Sequence, residues 1–208
     1  MGINRLVIDS SASITELCLL GKATGTDKSP YNTVAHRHPY TSIYTMLFAP
    51  LKNKPIVFGE IGVAMGASAL LWRIYFRNAE IYMFDRDQAL LDHAAKRCSP
   101  IYTRLMDVGV DGGVSGALDG IQFDVLIDDS SHDFDHQIRI IKEAHPFLKP
   151  GAMLIIEDIF RNRDEADYEA HLKDMKDVFS TAYFVVCEHK DKWSPGWDND
   201  KMLVLVKH

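Results

Sequence analysis

Long stretches of this chain alternate between two hydrophobic patterns, which predicts strands that alternate with helices. Short, nearly continuous apolar runs are typical of strands buried on both faces of a sheet, and apolar residues three or four positions apart are typical of helices. The predicted strands cover residues 56–61, 81–84, 101–106, 123–127, 152–156, 183–187 and 202–206. The predicted helices cover residues 68–76, 88–97, 137–148 and 164–179. Lys149-Pro150-Gly151 is expected to end the third of these helices.

The order of these elements predicts the fold. Strands that alternate with helices form parallel sheets with right-handed crossovers. Because the last two strands are joined by a loop without a helix, we expect them to pair as an antiparallel hairpin. The predicted α/β fold is therefore a Rossmann-like, seven-stranded methyltransferase sheet, mostly parallel with a C-terminal antiparallel hairpin. We expect residues 1–50 to form a partly helical N-terminal extension that packs over the active site, and residues 51–208 to form the methyltransferase domain of a single globular unit.

Glycines and acidic residues follow the first three predicted strands, at the edge where an open α/β sheet binds ligands. The first strand continues into EIGVAMGAS at Glu60–Ser68, where glycines let the backbone approach a ligand and the next helix offers free N–H groups. The glycine spacing lacks the G-x-G-x-x-G of a pyrophosphate site, and Glu60 and Gly62 match the E-x-G pattern of S-adenosylmethionine enzymes. Asp85 can accept the ribose hydroxyls, and Asp107 lies where adenine is usually held. These residues predict an S-adenosylmethionine site, although a tight strand-to-helix turn alone would also use such glycines.

Acidic residues also end the next two predicted strands. Asp128-Asp129-Ser130-Ser131-His132 follows one strand, and Glu157-Asp158 follows the other. If the two strands are neighbours, these carboxylates lie close together and repel one another unless a cation lies between them. Carboxylate oxygens favour a hard divalent ion such as magnesium or manganese. His132 can reach the same cavity and exchange a proton near neutral pH. The alternative is that these are exposed strand ends, with Asp129 or Ser130 as a helix cap.

Composition narrows the range of partners. The net charge is −6 and no stretch is rich in Lys or Arg, which argues against nucleic acid. The three cysteines are far apart and form no CxxC pair, which favours a reducing compartment over a disulfide or zinc framework. No apolar run has the length of a membrane span, and the first residues lack the apolar core of a signal peptide. We therefore expect a cytoplasmic protein that binds neither nucleic acid nor membrane, with a homo-oligomer left open.

Several motifs together resemble a known family. GTDK at Gly25–Lys28, the following His38-Pro39-Tyr40-Thr41, and then EIGV, DDSSH and IED resemble the metal-dependent sugar O-methyltransferases of macrolide biosynthesis. The mycinamicin and macrocin O-methyltransferases are the type, and the cephalosporin-hydroxylase-like proteins are related. The family usually has DDGSH, and Ser130 stands at the position of its glycine. Some members carry a long N-terminal oligomerisation domain that is not seen here, so their quaternary structure is not carried over.

The resemblance implies transfer of a methyl group from S-adenosylmethionine to a sugar hydroxyl, assisted by magnesium or manganese. The acceptor would be a glycan, a glycoside or a sugar-bearing natural product that presents vicinal hydroxyls. Asp129, Glu157 and Asp158 would bind the metal, and His132 would be the general base. Glu60, Gly62, Asp85 and Asp107 would hold the cofactor. We also expect cofactor contacts from Lys28, Tyr40, Val63, Gly66, Ser68, Val108 and Asp128, with a solvated turn residue as the alternative for Lys28.

Other functions fit parts of the same sequence. A catechol-type O-methyltransferase would use the same metal-chelated diol chemistry. A non-catalytic S-adenosylmethionine-binding module would not need metal ligands and a base, and the missing G-x-G-x-x-G disfavours a nicotinamide-dependent oxidoreductase. Tyr40 and Tyr44 share a helix face and could line the cavity or simply pack on the sheet. Trp193 and Trp197, in the loop before the last strand, could stack on a sugar or pack into their own domain.

Overall fold

The computed structural model describes residues 2–208 and contains an eight-stranded sheet between two layers of helices. The strands are β1 (Asn4–Asp9), β2 (Val57–Ile61), β3 (Glu80–Asp85), β4 (Tyr102–Leu105), β5 (Phe123–Asp128), β6 (Leu148–Ile156), β7 (Phe179–Glu188) and β8 (Lys201–Lys207). The helices are α1 (Glu16–Thr24), α2 (Tyr40–Phe48), α3 (Ala67–Tyr75), α4 (Gln88–Cys98), α5 (Gly113–Leu118), α6 (Phe134–Ala144) and α7 (Glu165–His171). No helix in this range is long and apolar enough to cross a membrane.

The strand order is β1-β7-β8-β6-β5-β2-β3-β4. Strand β8 runs antiparallel to both β6 and β7, and every other pair is parallel. The mostly parallel sheet with an antiparallel C-terminal pair is confirmed. The predicted number of seven strands is wrong, because β1 adds an eighth strand beside β7.

Two local predictions also need correction, and one strand was missed. Strand β1 was not predicted, because it is an edge strand with mostly exposed side chains and so lacks a hydrophobic period. Helix α6 ends at Ala144, and after a short 3₁₀ turn Leu148 already begins β6, so Lys149-Pro150-Gly151 lies within that strand. The helix predicted over 164–179 is shorter, because α7 ends at His171 and a second 3₁₀ turn, Lys173–Met175, follows.

The two faces of the sheet carry separate apolar cores. On one face, α1–α4 pack around a buried aromatic group that includes Phe48, Phe58, Trp72 and Phe76. On the other face, α5–α7 cover the side chains that alternate with these along the strands. Burial on both faces explains why the central strands read as continuous apolar runs.

The sheet topology brings the acidic strand ends together. Strand order reverses between β2 and β5, which pair in parallel with Ile61 beside Asp128. Strand β6 lies on the other side of β5, with Ile156 beside Asp128. The residues that follow β2, β5 and β6 therefore leave the sheet at one edge, at the switch point where open α/β sheets bind ligands.

Candidate active site

A cavity of about 820 Å³ opens at the carboxyl ends of β2, β3, β4 and β5. Six of the residues predicted to bind a cofactor line it: Gly62, Val63, Ser68, Asp85, Asp107 and Val108. Asp129 and His132 lie on the wall towards β5. Met65, Arg86, Leu90 and His136 also line the cavity and were not predicted to do so. Of these, Arg86 and Leu90 could have been found from the turn and the helix that follow Asp85.

Gly62 is needed for a close contact inside the protein. Its φ of 98° lies in the left-handed region, and a Cβ atom there would lie 2.0 Å from the carbonyl oxygen of Asp129. The turn after β2 is held by Val63, whose N–H donates to Asp85 Oδ2 at 2.9 Å. Gly66, at φ 72°, precedes the first turn of α3 and packs against Ala94 of α4. The glycine loop therefore fixes the backbone of β2 against the start of the β5 loop.

The two acidic residues at the ends of β3 and β4 face the cavity in ordered conformations. Asp85 Oδ1 accepts from the N–H of Asp87 at 3.0 Å, so both of its oxygens are oriented by backbone donors. Asp107 Oδ1 accepts from the N–H of Gly109 at 2.8 Å. Each carboxylate keeps lone pairs free for a ligand in the cavity.

Lys28 lies behind the cavity wall, where it contacts three carboxylates. The side chain is buried, and its Nζ donates to Asp129 Oδ2 at 2.5 Å and to Glu157 Oε2. Glu60 Oε1 lies 3.1 Å from the same nitrogen. Burial alone would lower the pKa of Lys28, but the carboxylates of Asp129, Glu157 and Glu60 raise it well above its usual value. Lys28 is therefore a buried cation, although the sequence interpretation placed it at the cofactor.

Glu60 is also fully buried and does not line the cavity. Its Oε2 accepts from Ser68 Oγ at 2.8 Å and from Trp72 Nε1 at 3.1 Å. Burial raises the pKa of Glu60 to about 7, against the opposing effect of Lys28. The E-x-G glutamate thus joins β2 to α3 and to the Lys28 ammonium.

The two tyrosines of α2 each hold one member of the Glu157-Asp158 pair. Tyr40 donates to Asp158 Oδ1 at 2.6 Å, and Tyr44 donates to Glu157 Oε1. Burial raises the pKa of Glu157, which Lys28 opposes. Both oxygens of Glu157 are thus engaged, one by Lys28 and one by Tyr44, and neither tyrosine lines the cavity.

Asp129, His132 and Asp158 form a cluster that faces outward from these buried groups. One ligand atom from each lies within 4.8 Å of the others, and His132 Nε2 is 3.6 Å from Asp158 Oδ2. His132 and Asp158 have φ values of 59° and 55°, and the only other non-glycine residue in 2–208 with positive φ is Ala64, in the glycine loop. Backbone strain of this kind concentrates at functional sites, because the surrounding structure must hold it in place.

The capping alternative for Asp129 and Ser130 is wrong. Helix α6 is capped by Asp133, whose side chain accepts from the N–H groups of Asp135 and His136. Ser130 instead donates from Oγ to Asp128 Oδ1 at 2.6 Å. Asp128 is buried, and burial raises its pKa to about 6, whereas the hydrogen bonds that it accepts from Ser130 oppose this increase.

A second layer of charge lies behind Asp158. His38 Nδ1 is 2.9 Å from Asp200 Oδ1 and 3.7 Å from Asp158 Oδ1, and its ring stacks on Tyr40. Burial by itself lowers the pKa of His38, but Asp158 and Asp200 raise it to about 9. His38 belongs to the motif that suggested the family resemblance, yet nothing in the sequence pattern indicated its partners.

The donor set fits a divalent cation. Four acidic side chains lie close together here: Glu60, Asp129, Glu157 and Asp158. One lysine, Lys28, contacts the first three of them, so negative charge is in excess. A divalent cation beside Asp129 and Asp158 would relieve the repulsion that Lys28 and His38 leave. The carboxylates of Asp129 and Asp158 offer the oxygen ligands that magnesium and manganese prefer, with water and acceptor oxygens to complete the shell.

This fold and this site define a class. The sheet order, the antiparallel C-terminal pair and the cavity at the switch point are those of a Rossmann-like methyltransferase fold. Residues 60–159 match the family model described as a methyltransferase domain.

The curated relatives are sugar O-methyltransferases of tetracenomycin and macrolide pathways, which confirms the resemblance predicted from the sequence. The 8-demethyl-8-alpha-L-rhamnosyl tetracenomycin-C 2'-O-methyltransferase of Streptomyces olivaceus is 30% identical over 130 residues, 59% of this chain and 33% of that protein. The mycinamicin VI 2''-O-methyltransferase of Micromonospora griseorubida is 27% identical over 136 residues, 59% of this chain and 32% of that protein. The chain thus spans about a third of the length of the curated relatives it matches.

Solved structures give the same result at the level of fold. The MycE methyltransferase of the mycinamycin pathway, in complex with Mg and S-adenosylhomocysteine, superposes with a TM-score of 0.67 at 20% identity. That superposition covers 94% of this chain and 55% of MycE. A second MycE structure, which also contains mycinamycin VI, is 25% identical with a TM-score of 0.58 and covers 69% of this chain and 39% of MycE.

Proposed function

We propose that this protein transfers the methyl group of S-adenosylmethionine to a hydroxyl of a sugar that carries a second hydroxyl beside it, with magnesium or manganese bound. The observation that carries the proposal is the cluster of Asp129, His132 and Asp158, of which Asp129 and His132 line the 820 Å³ cavity. A base and paired carboxylates beside a cavity suited to a nucleoside are what such a transfer needs. The sugar O-methyltransferase relatives support a sugar as the acceptor.

The cofactor is proposed to lie against the glycine loop. Gly62, Val63, Ser68, Asp85, Asp107 and Val108 line the cavity, which supports this assignment. We assign Asp85 to the ribose hydroxyls, and Asp107 with Val108 to the adenine. The other residues in the cofactor assignment are Lys28, Tyr40, Glu60, Gly66 and Asp128. These five lie outside the cavity lining, and we propose that they act by holding the loops that form it.

Asp129 and Asp158 are the proposed metal ligands. Glu157 is a third candidate, provided that its carboxylate turns away from Lys28 and Tyr44. When bound, S-adenosylmethionine supplies the methyl group and the ion lowers the pKa of the acceptor hydroxyl.

The chain's own residues then handle the proton and the geometry. His132 accepts the hydroxyl proton at Nε2, the ring nitrogen that faces Asp158, and the carboxylate at 3.6 Å stabilises the resulting imidazolium. Tyr40 holds Asp158 in place by its hydrogen bond, and Lys28 does the same for Asp129. Fixed positions of this kind matter most for a reaction whose methyl donor is already activated.

The test is calorimetric titration of S-adenosylmethionine and S-adenosylhomocysteine, with and without magnesium, followed by a methyl-transfer screen over glycosides and catechols with and without EDTA. Binding of both cofactor forms and EDTA-sensitive transfer to a glycoside are expected. Absence of cofactor binding would overturn the proposal, and transfer to catechols alone would replace the sugar with a phenolic diol.

Variants separate a base from a metal ligand at His132. His132→Ala should abolish transfer while the affinities for cofactor and magnesium stay unchanged, whereas Asp129→Asn should weaken magnesium binding. His93→Ala, on the exposed face of α4, is the matched histidine control. A His132→Ala protein that loses magnesium affinity would show that the imidazole is a ligand of the ion.

A further inference from the structure

The loop between β7 and β8 carries two tryptophans that are equally exposed but differently placed. Trp193 is 48% exposed and Trp197 is 46% exposed. Trp193 has a local partner, because its backbone pairs with Arg37 and the guanidinium of that arginine lies 5.5 Å from its ring centroid. The contacts with Arg37 therefore account for the position of Trp193 without a ligand.

Trp197 lies beside the reactive cluster. Its ring stacks on Phe160 with centroids 5.6 Å apart, and the ring of His132 stands perpendicular to it at 6.5 Å. Phe160 follows Asp158 by two residues, so the same turn carries a proposed metal ligand and the stacked ring. We call Phe160 and Trp197 the aromatic platform.

The platform is held in position by the chain around it. The N–H of Arg161 donates to the carbonyl of Asp198 at 2.8 Å, and Arg161 Nε lies 3.1 Å from Asp198 Oδ1. Arg161 also donates to the Cys187 carbonyl at 2.7 Å, near the end of β7. These contacts hold Trp197 next to His132 while its ring stays half-exposed. A tryptophan that served only to pack the loop onto its own domain would not need to be exposed at that position.

We propose that the aromatic platform binds the apolar C–H face of the acceptor's pyranose ring, an inference that rests on the proposed function. The ring centroids of His132 and Trp197 lie 6.5 Å apart. A sugar whose hydroxyl reaches His132 and Asp158 therefore has its pyranose ring within contact distance of Trp197. The indole N–H of the half-exposed Trp197 is a hydrogen-bond donor that can meet another hydroxyl of the sugar. An aromatic face together with a few polar donors is the usual composition of a small-molecule site.

The experiment measures glycoside binding directly. Saturation-transfer NMR and titration are run with methyl rhamnoside, glucoside, galactoside and mannoside, in the presence of S-adenosylhomocysteine and magnesium. Trp197→Ala should weaken the best binder about tenfold through lost apolar contact, and Trp197→Phe should weaken it less. Trp193→Ala, the matched control in the same loop, should change the dissociation constant less than about twofold.

Two further measurements keep the outcomes distinct. S-adenosylhomocysteine affinity and thermal unfolding should match those of the wild type in all three variants, and Trp197→Phe serves if Trp197→Ala does not fold. The proposal is overturned if no pyranoside binds the wild type, if Trp197→Ala binds within about twofold of it, or if Trp193→Ala loses as much. Binding that depends on Trp197 without any methyl transfer would count against the proposed function alone, whereas transfer with binding independent of Trp197 would count against the platform alone.

Discussion

Replacing Lys28 with methionine should destabilise the protein more than any surface substitution. The ammonium of Lys28 touches Asp129 and Glu157 and lies 3.1 Å from Glu60, and both glutamates are buried. Methionine keeps the apolar stem and removes the charge. Breaking a buried ion pair on one side typically costs about 3–5 kcal/mol, because the remaining charge stays in a poorly hydrated site.

Protonation limits this cost and sets its pH dependence. Without Lys28, a buried glutamate folds more easily in its neutral form, and protonating one glutamate at about pH 7.5 costs about 4 kcal/mol given an unfolded pKa near 4.3. The same step costs about 2 kcal/mol at about pH 5.5. A raised folded pKa means that stability is lost as pH rises. Because we expect the variant to hold one more proton than the wild type, in which the pKa of Glu60 is already about 7, the deficit of Lys28→Met should shrink by up to about 3 kcal/mol as the pH falls from about 7.5 to about 5.5.

The assay is urea unfolding in the presence of EDTA at both pH values, with circular dichroism as the signal. Lys52→Met is the control, because Lys52 pairs with Glu16 at the surface and such pairs contribute at most about 1 kcal/mol. The double variant Lys28→Met with Glu157→Gln should recover part of the loss and serves if the single variant does not fold. A Lys28→Met deficit below about 1 kcal/mol, or one that is equal at both pH values, would refute this reasoning.

Three further predictions concern the backbone and the buried histidine. His132→Gly should be about 1 kcal/mol more stable than His132→Ala in urea unfolding, because φ is 59° there, and the reverse order would contradict that backbone. Gly62→Ala should lose more than about 2 kcal/mol in thermal unfolding because its Cβ would lie 2.0 Å from the Asp129 carbonyl, whereas Gly120→Ala, with open space around it, should lose only about 1 kcal/mol, and equal losses would refute the contact. The stability advantage of wild type over His38→Gln, measured in EDTA, should be fully present below about pH 6.5 and fall by about 3 kcal/mol as pH rises through about 9, and a flat difference would show that His38 is not charged.

The parallel sheet and its acidic edge could be predicted because both leave periodic, local signals. Buried strands appear as apolar runs, and a polar residue directly after such a run must emerge at the carboxyl edge. Asp85, Asp129 and Glu157 were therefore assigned to one edge from sequence order alone, and the strand pairing of β5 with β6 brings the last two together. An exposed edge strand such as β1 leaves no comparable signal.

Contacts across long sequence separations could not be predicted. Lys28 meets Glu157 across 129 positions, and Tyr44 meets the same carboxylate across 113. A lysine in a turn and a tyrosine on an apolar helix face are each compatible with many partners, so spacing does not select among them. The close approach of Gly62 to Asp129 could not be predicted for the same reason. A glycine in a sequence can indicate that a side chain would not fit, but it does not identify the neighbouring group.

The carboxylates of this site and most of the groups that hold them lie in different parts of the chain. Residues 60–159, which match the methyltransferase domain family, contain Glu60, Asp129, Glu157 and Asp158. Ser68 donates to Glu60 from within that segment, but the counter-charges Lys28 and His38 and the hydroxyl donors Tyr40 and Tyr44 all precede it. A chimera that grafts residues 60–159 of this chain behind an N-terminal segment without these four side chains would therefore acquire buried negative charge that nothing balances. We expect a chimera to fold only when its N-terminal segment supplies the lysine, histidine and tyrosines that the carboxylates of residues 60–159 contact.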